Sequence, residues 1–257
     1  MEGLVGRALA HPLTKGLDLD SPETTELRRQ IILSKPFLSA VYRDWYRAIS
    51  QRIPPGDGAV LEIGSGGGFF DIEEPEAMTS EVFFLPGVDL IADAQSLPLG
   101  AGSLKAIVMS NVFHHLPDVP RFLSEAERAL RPGGRIVMVE PWNTAWSRFV
   151  HDRFHDEPML PDTPTWEFPT TGPLSGANAA LAWVVVERDR QRLEDEWRFK
   201  VAEAEPFMPF SYIVSGGVSL RSLMPGWMHG FWRTVDGWGP LRRRYSVFAL
   251  ITLDRVS

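Results

Sequence analysis

The chain has 257 residues, of which 44% are hydrophobic and 23% charged, as is typical of a globular protein with one large α/β domain. Its net charge of −7 argues against nucleic acid as a partner, because nucleic-acid binders usually carry a basic face. The absence of cysteine excludes disulfides, and no apolar run reaches the roughly 18–20 residues of a membrane span. We therefore expect a cytoplasmic protein without a membrane span; its oligomeric state is unknown from the sequence.

The chain begins with a predicted helical cap over residues 1–57. Ser21 followed by Pro22 is typical of a helix start, and helices are predicted at 23–34 and 36–51. The second helix has an apolar residue every four positions, at Phe37, Val41, Trp45 and Ile49.

Strands and helices then alternate, which predicts a mostly parallel sheet with helices on both faces. Strands are predicted at 58–63, 77–81, 88–92, 105–110, 134–140, 198–204 and 245–254. Helices are predicted at 119–130 and 227–238.

A glycine-rich turn, residues 61–70 (LEIGSGGGFF), follows the first strand and suggests a ligand at its carboxyl end. The turn is not a phosphate-binding P-loop, because Phe69 rather than lysine follows Gly68. The same Phe69 replaces the third glycine of a dinucleotide fingerprint. Glu62, two residues before the first glycine, gives the pattern acid-x-G-x-G-x-G.

Four stretches in register carry a family resemblance: residues 61–68 (LEIGSGGG), 92–99 (ADAQSLPL), 107–118 (IVMSNVFHHLPD) and 130–141 (LRPGGRIVMVEP). In these motifs the chain resembles the class I S-adenosylmethionine-dependent methyltransferases. The resemblance implies a seven-stranded Rossmann-like fold and S-adenosyl-L-methionine as the cofactor, with S-adenosyl-L-homocysteine as its product. The implied reaction is in-line transfer of a methyl group to an O, N or C nucleophile of a small molecule, which we expect to be amphipathic or aromatic.

The resemblance also implies roles for particular residues. Glu62 orients the amino group of the cofactor, and the glycine loop lets the backbone approach its tail and ribose. Glu81 binds the ribose hydroxyls, although the chain after it is too short for the usual crossover helix, and Asp89 is the rival acid. The full predicted cofactor set is Glu62, Gly64, Ser65, Gly66, Gly68, Glu81, Asp93, Ala94, Ser110 and Asn111.

The remaining chain is divided around this cofactor core, predicted at 58–141. Residues 142–196 are predicted to form a lid or substrate-side insertion, and residues 197–257 to complete the sheet. Eight of the nine tryptophans follow residue 141, which suggests either an aromatic lid over the methyl group or a second small core.

We expect the general base that deprotonates the acceptor to be a histidine. His115, His151 and His155 are the predicted catalytic residues. His114 or His115 is expected to be structural. The one-turn spacing of His151 and His155 would suit a metal, but the sequence shows no matching third ligand, so no metal ligands are assigned.

Two further motifs have a functional and a plain structural interpretation. Residues 241–244 (LRRR) are expected in a solvated loop before a strand rather than in an anion-binding patch. Residues 215–223 (SGGVSLRSL) are either a loop-to-helix anion site with Arg221 or a tight turn before a packed helix.

The sequence thus favours a methyltransferase for small molecules. Two alternatives remain open: a non-catalytic S-adenosylmethionine-binding module, and an NAD-dependent oxidoreductase.

Overall fold

The computed structural model describes three stretches of the chain, residues 21–155, 157–172 and 176–257. Two helices open the described part, α1 (Pro22–Ser34) and α2 (Pro36–Ser50). As the Ser-Pro start predicts, the Ser21 hydroxyl caps α1 by accepting a hydrogen bond from the Thr24 backbone N–H. The other predicted cap residues, 1–20, lie outside the described residues.

All seven predicted strands are present and form one sheet. They are β1 (Ala59–Ile63), β2 (Met78–Glu81), β3 (Leu90–Ile91), β4 (Leu104–Ser110), β5 (Leu130–Pro141), β6 (Phe199–Phe207) and β7 (Phe248–Arg255). Their order is β3-β2-β1-β4-β5-β7-β6, and only β7 runs antiparallel to its neighbours. The predicted mostly parallel sheet is therefore confirmed, and its order reverses between β1 and β4.

The remaining helices are α3 (Phe70–Glu73), α4 (Val119–Ala129), α5 (Ala145–Phe154), α6 (Leu181–Trp183), α7 (Arg190–Glu196), α8 (Ser211–Ser215), α9 (His229–Asp236) and α10 (Gly239–Tyr245). One-turn 3₁₀ helices lie at Phe113–His115 and Gly226–Met228, and a π-helix at Val184–Arg188. No helix in the described stretches is long and apolar enough to cross a bilayer.

Both faces of the sheet are covered, which is why its central strands are almost continuously apolar. Along β4, Ile107 and Met109 face the layer that contains α4, while Ala106 and Val108 face the layer that contains α2. The amphipathic stripe predicted for α4 is confirmed, because Val119, Phe122, Leu123 and Ala126 are fully buried against the sheet.

The connection from β2 to β3 contains no helix, as the sequence predicted. Asp89 braces this short connection, because its carboxylate accepts hydrogen bonds from the backbone N–H and the hydroxyl of Thr79, at 2.9 and 2.8 Å. Glu81 consequently remains at the end of its strand, paired with Ile91.

The segment 142–196 is divided between the core and the sheet edge. Leu181 and Val184 to Val186 are fully buried in the layer that contains α4. The short helices at the end of the segment are therefore part of the core. Trp142 and Trp166 are buried in the same layer. Trp142 and Trp166 therefore pack the core and do not form a lid, which agrees with the second of the two interpretations given above for the tryptophans.

Two smaller expectations are corrected. Arg242 to Arg244 lie in α10 rather than in a loop, and Arg242 donates to the Pro206 carbonyl. The glycines at 216 and 217 end α8, and no helix follows before residue 226. The carbonyls of Gly217 and Leu220 accept hydrogen bonds from the buried ammonium of Lys35, so this turn holds a cation rather than an anion.

Candidate active site

A cavity of about 470 Å³ opens at the carboxyl ends of β1, β2 and β4, where the strand order reverses. This position and size are typical of small-molecule sites in open α/β sheets. The cavity brings together the whole predicted cofactor set and the three predicted catalytic histidines: Glu62, Gly64, Ser65, Gly66, Gly68, Glu81, Asp93, Ala94, Ser110, Asn111, His115, His151 and His155. Asp89, the rival acid, does not line it.

The glycine-rich loop forms the floor of the cavity and cannot carry side chains there. Gly64 has a φ of +66°, and a Cβ atom on it would lie 2.5 Å from a methyl group of Val112. A Cβ atom on Gly68 would lie 2.4 Å from the hydroxyl of Tyr46. That hydroxyl accepts a hydrogen bond from the Phe69 backbone N–H, so helix α2 fixes the end of the loop.

Two buried acids stand beside this loop, and no basic side chain forms an ion pair with either of them among the described residues. Glu62 is 3% exposed; its burial, with the charges of Asp71 and Glu81, raises its pKa from 4.5 to about 7. Burial also raises the pKa of Glu81, whose carboxylate accepts hydrogen bonds from the backbone N–H groups of Val82 and Gly66. The two carboxyls thus favour a cationic or hydroxyl-bearing ligand.

Helix α1 covers the loop from outside, which the sequence did not indicate. A Cβ atom on Gly67 would lie 3.0 Å from the Arg29 backbone nitrogen. The Arg29 guanidinium donates to the Gly68 carbonyl and faces Asp71 at 3.9 Å. Thr25 and Arg28 also line the cavity, so α1 forms part of its wall.

The far side of the cavity is formed by the ends of β3 and β4. The exposed carboxylate of Asp93 accepts hydrogen bonds from the backbone and side-chain amide of Gln95, which hold the turn around the buried Ala94. Asn111 has a positive φ of 58°, a conformation that asparagine tolerates. The buried hydroxyl of Ser110 has no hydrogen-bond partner among the described residues.

A histidine–glutamate cluster forms the opposite wall. His114 Nδ1 lies 2.6 Å from Oε2 of Glu140, whose other oxygen accepts from the backbone N–H groups of Val112 and Phe113. His114 Nε2 lies 3.2 Å from Oε2 of Glu157. Burial opposes a charge on His114, but the two glutamates outweigh it and raise its pKa to about 10.

The predicted catalytic histidines also line this wall. His115 Nδ1 donates to the Gly176 carbonyl at 3.0 Å, and Nε2 lies 3.6 Å from Oε1 of Glu157. Burial and the charge of His114 lower the pKa of His115 to about 4. Burial and His155 lower the pKa of His151 to about 4, and His151 Nδ1 has no hydrogen-bond partner among the described residues. Both rings are therefore neutral at pH 7.

Sequence reasoning missed Glu140 and Glu157. Glu140 lies inside a quoted motif, but its pairing with His114 depends on strands β4 and β5 being neighbours. Glu157 follows α5 in an irregular stretch, where no periodic signal could have indicated its role. Burial acts to raise the pKa of Glu157, but the hydrogen bond to His114 and the charge of that ring hold it well below its usual range.

Comparison with known proteins indicates the class of protein that this chain resembles. The family model of the methyltransferase domain matches residues 77–138. An uncharacterized methyltransferase of Mycobacterium sp. (strain KMS) is 30% identical over 114 residues, which cover 39% of this chain and 45% of the relative. The chain thus spans less than half the length of that curated relative.

Comparison with solved structures indicates which known proteins share this fold. Geranyl diphosphate C-methyltransferase from Streptomyces coelicolor A3(2), crystallised with Mg²⁺, geranyl diphosphate and S-adenosyl-L-homocysteine, superposes with a TM-score of 0.54 at 14% identity, covering 96% of this chain and 92% of the other. A cyclase, SpnF, superposes with a TM-score of 0.50 at 17% identity, covering 85% and 83%. At these identities the likeness shows the fold alone.

The fold is Rossmann-like, and a cavity of the size of a small-molecule site lies at the switch point of its sheet. The comparisons make the class more specific: residues 77–138 match a methyltransferase domain and the chain has the fold of class I methyltransferases, which confirms the resemblance to that family. Such a domain implies S-adenosyl-L-methionine as cofactor. The cradle of glycines and the two buried acids fit its amino group and ribose hydroxyls.

Proposed function

We propose that the chain is an S-adenosylmethionine-dependent methyltransferase that acts on a small molecule. The observation that carries this proposal is the pair of buried acids, Glu62 and Glu81, beside a glycine loop in which Gly64 and Gly68 have no room for a Cβ atom. A carboxylate without a cationic partner of its own suits an ammonium group, and a second suits a ribose diol.

The chain's own residues divide the work of binding. Glu62 orients the amino group, Glu81 accepts hydrogen bonds from the ribose hydroxyls, and Asp93 with the Ala94 N–H holds the adenine edge. Ser110 and Asn111 border the place of methyl transfer, where the free Ser110 hydroxyl is available for hydrogen bonding. When bound, S-adenosylmethionine supplies an electrophilic methyl group on a sulfonium.

The acceptor lies against a mixed wall. Val150, Tyr212, Ile213 and Phe248 line the cavity with apolar surface, and the histidines line it with polar surface. An acceptor with an apolar body and one O, N or C nucleophile matches these surfaces. His151 is neutral at pH 7 and its Nδ1 has no hydrogen-bond partner among the described residues, so this ring can accept a proton from the acceptor. Alignment of the nucleophile with the methyl group does the rest of the work.

The dinucleotide alternative is disfavoured by charge. A pyrophosphate at the glycine loop would face Glu62 and Glu81, and like charges in a buried site repel. A non-catalytic S-adenosylmethionine-binding module is the other alternative, because one fold serves several chemistries. The experiment below distinguishes it from an enzyme.

The test is transfer of a labelled methyl group from S-adenosylmethionine into small-molecule fractions of a cell extract. We expect a labelled product of low molecular weight with the wild-type protein and at least tenfold less with Glu81→Ala. Glu76→Ala, at an exposed glutamate outside the cavity, is the matched control. Cofactor binding without any labelled product would favour the binding module, and labelled nucleic acid or protein would refute the small-molecule acceptor.

A further inference from the structure

The histidine–glutamate wall has the geometry of a metal site. One ring nitrogen each of His114 and His115 and a carboxylate oxygen of Glu157 lie within 4.8 Å of one another. We propose that these three residues bind a divalent transition-metal ion, of the Zn²⁺ or Fe²⁺ class, with at least one coordination position open to the cavity.

The spacing of the ligand atoms supports the proposal. His114 Nε2 and His115 Nε2 lie 3.2 and 3.6 Å from the two oxygens of Glu157. Ligands about 2.1 Å from a tetrahedral metal are separated from each other by roughly 3.4 Å. Both separations between a histidine nitrogen and a Glu157 oxygen are therefore close to the spacing of two ligands on one ion.

Both rings are oriented through the nitrogen that would not bind the ion. His114 Nδ1 bonds to Glu140, and His115 Nδ1 bonds to the Gly176 carbonyl. A carboxylate or carbonyl on the second nitrogen is the usual partner of a metal-bound histidine, because it fixes the tautomer and the ring direction. Glu140 is fully buried and also anchored by two backbone N–H groups, so it is a positioning residue for His114.

The donor set restricts the kind of ion. Two imidazoles and one carboxylate suit zinc or iron, whereas Mg²⁺ and Ca²⁺ prefer oxygen ligands alone. Three protein ligands also leave a coordination position free, as in catalytic rather than structural zinc sites. All three residues line the cavity, so that position would face a bound small molecule.

Metal binding is tested on untagged, chelator-stripped wild-type protein by calorimetry with Zn²⁺, and with Mg²⁺ as the comparison ion. We expect one Zn²⁺ per chain with a micromolar or lower Kd and no saturable Mg²⁺ binding. Co²⁺ should give visible d–d bands without a thiolate charge-transfer band, because the chain has no cysteine. The absence of saturable Zn²⁺ binding at concentrations up to about 100 μM would overturn the proposal.

Variants assign the ligands. Glu157→Gln and His115→Ala should each weaken Zn²⁺ binding at least 100-fold, and Glu140→Gln by about 10–100-fold. His229→Ala removes a histidine outside the cavity and should change nothing. X-ray absorption of the wild-type zinc protein should count two imidazoles, so the assignment survives a variant that fails to fold. Unchanged affinity in the folded ligand variants, or any other imidazole count, would refute it.

The metal proposal and the proposed methyl transfer share one cavity but are tested separately. Zn²⁺ binding is measured without cofactor or acceptor, and S-adenosylhomocysteine binding is measured on the metal-free protein. The failure of one therefore leaves the other intact.

Discussion

Replacement of Glu62 by glutamine is expected to stabilise the ligand-free protein and to weaken its cofactor site. The pKa of this carboxyl rises from 4.5 to about 7 on folding, mainly because the side chain is buried. The folded state therefore holds a proton that the unfolded state has lost, and stability falls as the pH rises through this window. At 1.36 kcal/mol per pKa unit, the ionised group opposes folding by about 3 kcal/mol at pH 8.

Glutamine carries no charge, so it removes this opposition at every pH. It also weakens the hydrogen bond that Glu62 receives from Ser65, which costs about 1 kcal/mol. The net gain is about 2 kcal/mol at pH 8, or about 4–8 °C in Tm for a domain of this size. At pH 5 the carboxyl of the wild-type protein is protonated when folded, and the gain is about zero.

Thermal unfolding of both proteins at pH 5 and pH 8 measures this difference. Glu76→Gln, at an exposed position, is the control and should shift Tm by no more than about 1–2 °C at either pH. Calorimetry at pH 8 should show S-adenosylhomocysteine bound about 10–100-fold more weakly by Glu62→Gln, through loss of a charged hydrogen bond. Equal Tm shifts at the two pH values, or unchanged affinity, would refute the reasoning.

Three further substitutions probe the glycine loop, the contact of Lys35 with the 217–220 turn and the proposed base. Gly68→Ala should destabilise the protein by about 1–3 kcal/mol in denaturant unfolding, because its Cβ would collide with the Tyr46 hydroxyl, whereas Gly100→Ala has room and should be nearly neutral. Lys35→Met should cost about 1–3 kcal/mol in the same assay, because two loop carbonyls lose their donor. His151→Gln should lower kcat about 100-fold or more while S-adenosylhomocysteine affinity stays within threefold, and an unchanged kcat would exclude this ring as the base.

The sheet could be predicted from the sequence because its signals are local. Each strand is a short apolar run that ends at glycine, proline or a polar turn, and α4 shows its helical period within eleven residues. The glycine loop and the acids on either side of it in the sequence lie in short local stretches. The individual residues that form the floor of the cavity could therefore be predicted from the sequence.

The wall formed by the histidine–glutamate cluster could not be predicted, because its contacts join distant parts of the chain. His114 meets Glu140 across 26 residues, and Lys35 meets Gly217 across 182. The tryptophans illustrate the same limit, since their number indicated an apolar cluster but not which cluster. The burial of Trp142 and Trp166 in the core follows from the path of the segment 142–196 over the sheet, which no local pattern specifies, whereas Trp227 and Trp238 are exposed.

The most direct test of the central claim is calorimetric titration of S-adenosylhomocysteine into the wild-type protein, with NAD in a parallel cell. Glu81→Ala is the test variant, and Glu76→Ala the control. We predict micromolar binding of S-adenosylhomocysteine, no binding of NAD, and affinity about 10–100-fold weaker in Glu81→Ala alone. Binding of NAD, or no binding of S-adenosylhomocysteine, would contradict the assignment of this cavity to a methyl donor.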